Sequence, residues 1–171
     1  MNDYAAFLES KRVTVPSVGI TVDPNELHSA LFPFQRDLVR WSLRKGRSAL
    51  FADTGLGKTI MQLEWAQWMS GQGDVLILAP LAVAHQTISI GAQFGYDVQY
   101  ARQQSDIQAG ISITNYEMLH KFDPSWFRGI VLDESSILKS FDGKTRTALI
   151  QAFREPPYRL CCTATPAPND Y

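Results

Sequence analysis

Residues 52–59, with the sequence Ala-Asp-Thr-Gly-Leu-Gly-Lys-Thr, have the spacing of glycine, lysine and threonine that is typical of a phosphate-binding loop. Gly55 and Gly57 let the backbone turn its N–H groups inward on a phosphate. The positive end of a helix that starts near Lys58 would point at the same place. We therefore expect Lys58 to reach the β- and γ-phosphates of a nucleotide, and the Thr59 hydroxyl to hold Mg²⁺.

The elements around this loop are those that a phosphate-binding loop requires. An apolar strand candidate at 48–51 precedes it, and an apolar-periodic segment at 60–69 follows it. Strand, glycine loop and helix in this order favour nucleotide binding, with Thr54 among the residues that line the phosphate site. The first position of the pattern is Ala52 instead of glycine, so the alternative is an incidental glycine turn before a helix.

Two carboxylates, Asp133 and Glu134, follow a second apolar strand candidate at 130–132. An acidic pair at the tip of such a strand is the partner that a phosphate-binding loop needs. We expect Asp133 to hold Mg²⁺ through water, and Glu134 to polarise the water that attacks the γ-phosphate. The alternative is that Asp133 only caps a following helix, because aspartate is common at helix starts.

A third polar element, Thr163-Ala164-Thr165-Pro166, directly follows the strand candidate at 158–162. In phosphate-loop ATPases, the strand after the acidic strand tends to insert beside the strand that carries the loop. The hydroxyls of Thr163 and Thr165 would then lie next to the γ-phosphate and sense it. Taken by itself, the same segment is an ordinary strand exit, in which the hydroxyls bond local backbone groups and Pro166 ends the ladder.

Apolar strand candidates alternate with helical segments along the rest of the chain. Further strands are predicted at 75–79 and 111–114, and helices near 34–44, 58–70, 82–92 and 143–153. Continuous apolar strands separated by helices predict an α/β domain with a mostly parallel central sheet and helices on both faces. Residues 2–11 are predicted to form a short helix and residues 13–24 to be extended, so we expect residues 1–30 to be an arm on the core.

The composition is that of an ordinary globular domain. The chain has 171 residues, of which 45% are hydrophobic, and its net charge of −1 excludes a protein that coats a polyanion. No apolar run is long enough to span a membrane, and the N-terminus lacks the basic and apolar stretches of a signal peptide. Cys161 and Cys162 are adjacent on one strand, so they cannot easily pair. We therefore expect reduced cysteines, a cytoplasmic location and no membrane partner.

Taken in order, these segments resemble the motifs of the first RecA-like lobe of superfamily-two helicases, on the Swi/Snf-type translocase branch. Residues 53–59 resemble motif I, Asp133 and Glu134 with Lys139 resemble motif II, and residues 163–166 with Asn169 resemble motif III. The segments 32–35, 78–81 and 113–117 resemble the glutamine motif, motif Ia and motif Ib. The sequence is also similar to helicase-like proteins that phages and prophages often carry.

The resemblance implies a three-layer P-loop NTPase fold, with residues 31–171 as the ATP-binding lobe and residues 1–30 as an accessory arm. It implies ATP and Mg²⁺ as cofactors, and hydrolysis coupled to movement on a nucleic acid, with double-stranded DNA favoured. The family's catalytic unit has a second lobe that supplies arginines to the ATP site, and we expect that lobe to be absent from these residues. The alternatives are a strand-separating DNA or RNA helicase, a P-loop kinase and a non-enzymatic ATP-binding regulatory module.

Gln35 is expected to read the edge of adenine, because an amide can both donate and accept hydrogen bonds. Phe32 or Phe34 would supply an apolar surface against the ring. The alternative is a buried stripe of Phe34, Leu38 and Trp41 that leaves Gln35 merely exposed. We expect the stripe to belong to the core and Gln35 to project from the same helix start toward the base.

The resemblance also implies that the loops after two strands touch a DNA backbone. The residues at these strand ends are Pro80, Leu81, Thr114 and Asn115. Exposed backbone N–H groups and small hydroxyls suit contacts to phosphates. For each residue taken singly, the alternative is an ordinary loop residue.

Ser136 is a departure from the family pattern, because a histidine in motif II usually links the hydrolysis site to motif III. A serine is shorter, so it can make that bridge only over a smaller gap or through water. By their positions in the segments that resemble motifs II and III, we expect Ser136, Thr163 and Thr165 to couple ATP hydrolysis to movement on the nucleic-acid strand.

Overall fold

The chain is described by a computed structural model that covers Phe7, residues 16–139 and residues 143–166. From residue 33 onward, the α-helices are α1 (Pro33–Lys45), α2 (Lys58–Ser70), α3 (Leu81–Gln93) and α4 (Gly143–Ala152). The strands are β1 (Arg47–Phe51), β2 (Val75–Ala79), β3 (Val98–Tyr100), β4 (Ile111–Asn115), β5 (Gly129–Leu132) and β6 (Tyr158–Thr163). Within these ranges, no helix is long and apolar enough to cross a membrane.

The strands form one parallel sheet in the order β1-β6-β5-β2-β4-β3. As expected for the strand that follows the acidic pair, β6 pairs with β1, and its other neighbour is β5. Because the carboxyl ends of parallel strands meet at one edge of a sheet, the loops after β1, β5 and β6 are neighbours. The predicted α/β class and parallel sheet are confirmed. The apolar pattern did not predict β3, because this strand has three residues and carries Gln99 at its centre.

Two apolar clusters lie on opposite faces of the sheet. On β2, Ile77 faces the cluster that contains the buried residues of α1 and α2. Leu76 and Leu78 face the other cluster, which includes Phe127 and Leu149 of α4. A strand that is covered on both faces is apolar along its whole length, which is why β2 is a continuous apolar run in the sequence. The predicted placement of helices on both faces is confirmed.

The segment 18–31 packs against α1 and contributes to the core. The backbone N–H groups of residues 18–20 donate to the last carbonyls of α1, which have no partner within the helix. Gly19 permits this approach, since a Cβ at that position would lie 1.8 Å from the carbonyl oxygen of Leu43. The segment also places three side chains in the core: Val22, Leu27 and Leu31. Of the short helix predicted at 2–11, the described residue is Phe7, which is helical, and the others lie outside the described ranges.

The buried face of α1 differs from the predicted one. Phe34 and Trp41 are 44% and 39% exposed, whereas Val39 is fully buried. Leu38 packs at the edge of the core. The expected buried stripe of Phe34, Leu38 and Trp41 is therefore wrong. The helix can bury Gln35 in its place, because both ends of that amide are hydrogen-bonded and a satisfied amide costs little to bury.

Candidate nucleotide-binding site

Three chain segments meet at the carboxyl edge of the sheet. The loop 52–57 follows β1, Asp133 and Glu134 follow β5, and Thr163 is the last residue of β6. The Ala52 N–H donates to the Thr163 carbonyl at 3.3 Å, which joins the glycine loop to the end of β6. The topology thus brings together the three polar elements that the sequence singled out.

The glycine loop has a left-handed backbone at both of its glycines. The angle φ is 84° at Gly55 and 75° at Gly57, a region that residues with side chains rarely adopt. No described atom lies within 4 Å of a Cβ placed at Gly55, so the loop is open on that side. The helix α2 begins directly after Gly57, so its unpaired N–H groups and positive end face the loop. This geometry fits a bound phosphate chain.

Lys58 folds back onto the loop. Its Nζ donates to the carbonyl of Ala52 at 2.9 Å and to the carbonyl of Asp53 at 3.2 Å. Because an ammonium group carries three donors on a flexible stem, rotation of the side chain suffices to exchange these carbonyls for phosphate oxygens. Thr54 is exposed at the tip of the loop, and Thr59 is half-buried in the first turn of α2.

Hydrogen bonds to both the main chain and the side chain hold Asp133 at the end of β5. Its N–H donates to the carbonyl of Leu78 at 2.8 Å, and the Tyr116 hydroxyl donates to its carbonyl at 2.7 Å. Nε2 of Gln62 donates to its Oδ1 at 2.7 Å. Burial raises the pKa of the Asp133 carboxyl above its ordinary value, and the bond from Gln62 opposes that rise. A fixed carboxylate beside a phosphate-binding loop fits the water shell of Mg²⁺.

Glu134 has a backbone φ of 51° and is the single left-handed residue other than glycine in the described ranges. Such conformations cost about 1–3 kcal/mol and cluster at functional sites. Its Oε1 accepts hydrogen bonds from Ser136 Oγ and Thr163 Oγ1, both at 2.9 Å. Thr163 Oγ1 accepts in turn from the Thr165 N–H at 3.1 Å. Glu134 therefore links the acidic loop to the end of β6. Ser136 bonds to Glu134 and does not itself bridge the gap between the acidic loop and the segment 163–166.

Gln35 contacts the glycine loop from the start of α1. Its Oε1 accepts from the Phe32 N–H, and its Nε2 donates to the Leu56 carbonyl, both at 2.9 Å. A Cβ at Gly57 would lie 2.4 Å from Nε2, so the amide packs directly on the loop. Gln35 is 4% exposed, which contradicts the alternative of a merely exposed glutamine. Contact with adenine would require the amide to exchange at least one of these two bonds.

Phe32 and Phe34 form a flat aromatic surface beside Gln35. Their ring centroids are 6.3 Å apart, their planes differ by 8°, and both side chains are exposed. Stacked rings that are open to solvent next to a glutamine suit contact with the face of a base.

The residues that were expected at a nucleic-acid backbone differ in accessibility. Leu81 is exposed at the start of α3, and Pro80 is half-buried beside it. Thr114 is fully buried in β4, so its hydroxyl cannot reach a phosphate in this structure. The Asn115 side chain accepts a hydrogen bond from the Met118 N–H at 3.1 Å and thereby caps the turn that follows β4. The expected contact between the Thr114 hydroxyl and a nucleic-acid phosphate is therefore not possible in this structure.

The sequence did not predict the roles of Gln62 and Tyr116, both of which hold Asp133. A polar side chain within the apolar-periodic segment of α2 was the available signal for Gln62. The sequence offers no comparable signal for Tyr116, because its bond to the Asp133 carbonyl depends on β4 and β5 lying on either side of β2. The side chain of Lys139 and the whole of Asn169 lie outside the described part of the chain.

No protein-family model matches the chain. Over 167 residues, the chain is 28% identical to the SWI/SNF-related matrix-associated actin-dependent regulator of chromatin subfamily A-like protein 1 of Xenopus tropicalis. This alignment covers 91% of the chain and 18% of the relative, so the chain spans less than a fifth of that protein.

Two solved structures are similar to the chain in fold. The Sulfolobus solfataricus SWI2/SNF2 ATPase core in complex with dsDNA has a TM-score of 0.67 and 22% identity, covering 88% of this chain and 35% of that one. The UvsW helicase from bacteriophage T4 has a TM-score of 0.66 and 16% identity, covering 96% and 60%. These structures confirm the predicted RecA-like arrangement of the sheet and helices. In sequence and in fold, the chain is therefore similar to the first RecA-like lobe of superfamily-two proteins of the Swi/Snf type.

Proposed function

We propose that the chain is the ATP-binding lobe of an enzyme that couples ATP hydrolysis to movement on DNA, with double-stranded DNA favoured. The observation that carries the proposal is the meeting of the loop 52–59 with Glu134 and Thr163 at one edge of the sheet, where Thr163 donates to Glu134 Oε1. A phosphate-binding loop and a strand end tied to the carboxylate beside it are the parts that a hydrolysis-driven motor needs. The proposal divides the chain into an arm at 1–30 and a lobe at 31–171.

Within this proposal, the residues of the chain bind ATP and activate water. Lys58 and the loop N–H groups bind the phosphates, while Thr59 and Asp133 hold Mg²⁺. When bound, Mg²⁺ supplies positive charge that offsets the negative charge on the phosphate oxygens. Glu134 accepts a proton from the attacking water, and its bond to Thr163 passes the state of the site to the end of β6.

Support for DNA as the partner comes from the proteins that the chain resembles. The Xenopus tropicalis relative is described as a regulator of chromatin, and the Sulfolobus solfataricus structure as an ATPase core in complex with dsDNA. On this chain, Leu81 and the backbone N–H groups of the loops after β2 and β4 would contact the DNA backbone. A facing second lobe would complete the ATP site. The likeness favours this function over a P-loop kinase and over a non-enzymatic module.

A cytoplasmic location belongs to the same proposal. Its support is that Cys161 and Cys162 are both free thiols, one buried and the other half-buried. Free thiols are usual in a reducing compartment.

ATP binding by the 171-residue chain tests the nucleotide half of the proposal. In isothermal titration calorimetry, Lys58→Ala should lose a charge-assisted phosphate contact of about 1.5–3 kcal/mol. The matched control is Lys121→Ala, because Lys121 is an exposed lysine outside the three segments of the site. Equal ATP affinity in Lys58→Ala and the unmodified chain would contradict the phosphate-loop assignment.

Duplex DNA tests the motor half of the proposal. A polypeptide that carries this lobe together with a facing second lobe should hydrolyse ATP faster when duplex DNA is added. ATP binding without any stimulation by DNA would contradict the assignment as a motor.

A further inference from the structure

Gln62 is a buried amide that is only half satisfied. It is fully buried on α2, and its Oε1 has no hydrogen-bond partner among the described residues. An unpaired amide oxygen in the core is unfavourable, and an apolar side chain of similar shape would avoid the cost. The neighbouring residues Met61 and Leu63 are fully buried apolar side chains, so the core around Gln62 accepts such residues. Packing alone does not explain a glutamine at this position.

The satisfied half of the amide binds the Asp133 carboxylate. Nε2 of Gln62 lies 2.7 Å from Asp133 Oδ1, which is in the range of hydrogen bonds to an ionised acceptor. The bonds of Asp133 to Leu78 and Tyr116 involve only its backbone N–H and carbonyl, so they fix the main chain and not the carboxylate. The Glu134 backbone N–H also donates to this carboxylate, and Gln62 is the side chain that donates to it among the described residues. The helix α2 thus holds the carboxylate through Gln62, beside the local bond from Glu134.

Gln62 also connects Asp133 to the glycine loop. Lys58 and Gln62 are four residues apart on α2 and therefore lie on the same face of the helix, one turn apart. The first turn of α2 faces the phosphate site and the second turn holds the acidic residue. A rigid helix thus fixes the distance between the two parts of the site.

We propose that Gln62 is a positioning residue for the metal site of the nucleotide, acting through Asp133 by fixing the orientation of its carboxylate. This inference rests on the proposed function. Carboxylates that bind metals are themselves hydrogen-bonded, and loss of such a partner typically lowers metal affinity about 10–100-fold. Gln62 is fully buried, so it does not touch the nucleotide itself.

The Mg²⁺ dependence of nucleotide binding by the full 171-residue chain tests this role. A fluorescent ADP analogue is titrated in EDTA and at increasing Mg²⁺ concentrations. Gln62→Met removes the donor while keeping the length and the burial of the side chain. In this variant, the nucleotide affinity in EDTA should be unchanged. The Mg²⁺ concentration that gives half of the Mg²⁺-dependent change in nucleotide affinity should rise about 10–100-fold. Gln62→Leu also removes the donor and keeps an apolar side chain at the buried position, so it should show the same loss.

Met61→Leu is the matched control, because it alters the adjacent buried residue of α2 and leaves the bond to Asp133 intact. It should keep the Mg²⁺ dependence of the unmodified chain. A double-mutant cycle adds a second readout: in an Asp133→Asn background, Gln62→Met should change the Mg²⁺ dependence no further.

The outcomes separate the inference from the proposed function. Unchanged Mg²⁺ dependence in both Gln62 variants would overturn the positioning role, as would additive effects of Gln62→Met and Asp133→Asn. A Gln62→Met chain with weakened binding in EDTA as well would also overturn it, because the residue would then support α2 as a whole. If the unmodified chain binds no nucleotide with or without Mg²⁺, both the proposed function and the inference fail.

Discussion

Gln35→Ala tests how the glutamine on α1 supports the glycine loop. The substitution removes two hydrogen bonds of 2.9 Å, one from the Phe32 N–H and one to the Leu56 carbonyl. Each neutral hydrogen bond contributes about 0.5–1.5 kcal/mol, so together they should contribute about 1–3 kcal/mol to the free energy of unfolding. Both bonds are part-buried, so water replaces them only in part.

Urea unfolding followed by tryptophan fluorescence measures this loss. The matched control is Gln86→Ala, because Gln86 is an exposed glutamine on α3 and its replacement should change stability by less than about 0.5 kcal/mol. The same variants are then titrated with ATP and GTP. If the amide reads the adenine edge, Gln35→Ala should weaken the binding of ATP by about 1–3 kcal/mol more than the binding of GTP.

Two results would refute different parts of this reasoning. Equal unfolding midpoints for Gln35→Ala and Gln86→Ala would mean that the two bonds do not stabilise the fold. A fall in stability with an unchanged ratio of ATP to GTP affinity would show that Gln35 supports the loop and does not read the base.

Four further predictions concern the carboxylate network, the isolated chain and alkaline pH. In a two-lobed form, Glu134→Gln should bind ATP but hydrolyse it about 10²–10⁴-fold more slowly, and near-normal turnover would mean that another group activates the water. Thr163→Val keeps the shape and removes the donor to Glu134, so kcat should fall while ATP affinity is retained; a change in affinity alone would contradict this. Assayed without a facing lobe, the 171-residue chain should hydrolyse ATP slowly and without response to duplex DNA, since an arginine from a facing lobe is worth about 10³–10⁵ in rate; robust DNA-stimulated turnover under these conditions would refute the two-lobe reasoning. Burial and the acceptor Glu64 raise the pKa of Tyr96 above its ordinary value of 10.0, so the folded chain keeps a proton that the unfolded chain loses. Stability should therefore fall as the pH rises above 10, and less steeply in Tyr96→Phe; equal slopes would contradict this assignment.

The sequence by itself determined the class of fold and the location of the chemistry. Apolar runs, glycine spacing and helical periodicity are local properties, so strands such as Val75–Ala79 and helices such as Lys58–Ser70 could be read without a structure. The position of β6 beside β1 was expected from the usual strand order of phosphate-loop ATPases. The sequence also indicated Asp133 as the acidic residue at the tip of a strand, because the strand before it is continuously apolar.

Only the tertiary structure decided which side chains are buried and which of them hold the site. The pattern of α1 favoured Phe34 for the core, but the packing of α1 against the glycine loop buries Gln35 instead. Gln62 and Asp133 are 71 residues apart, so no local pattern specifies their hydrogen bond. Burial and long-range hydrogen bonds depend on partners that only the packed chain brings together, which is why they could not be read from the sequence.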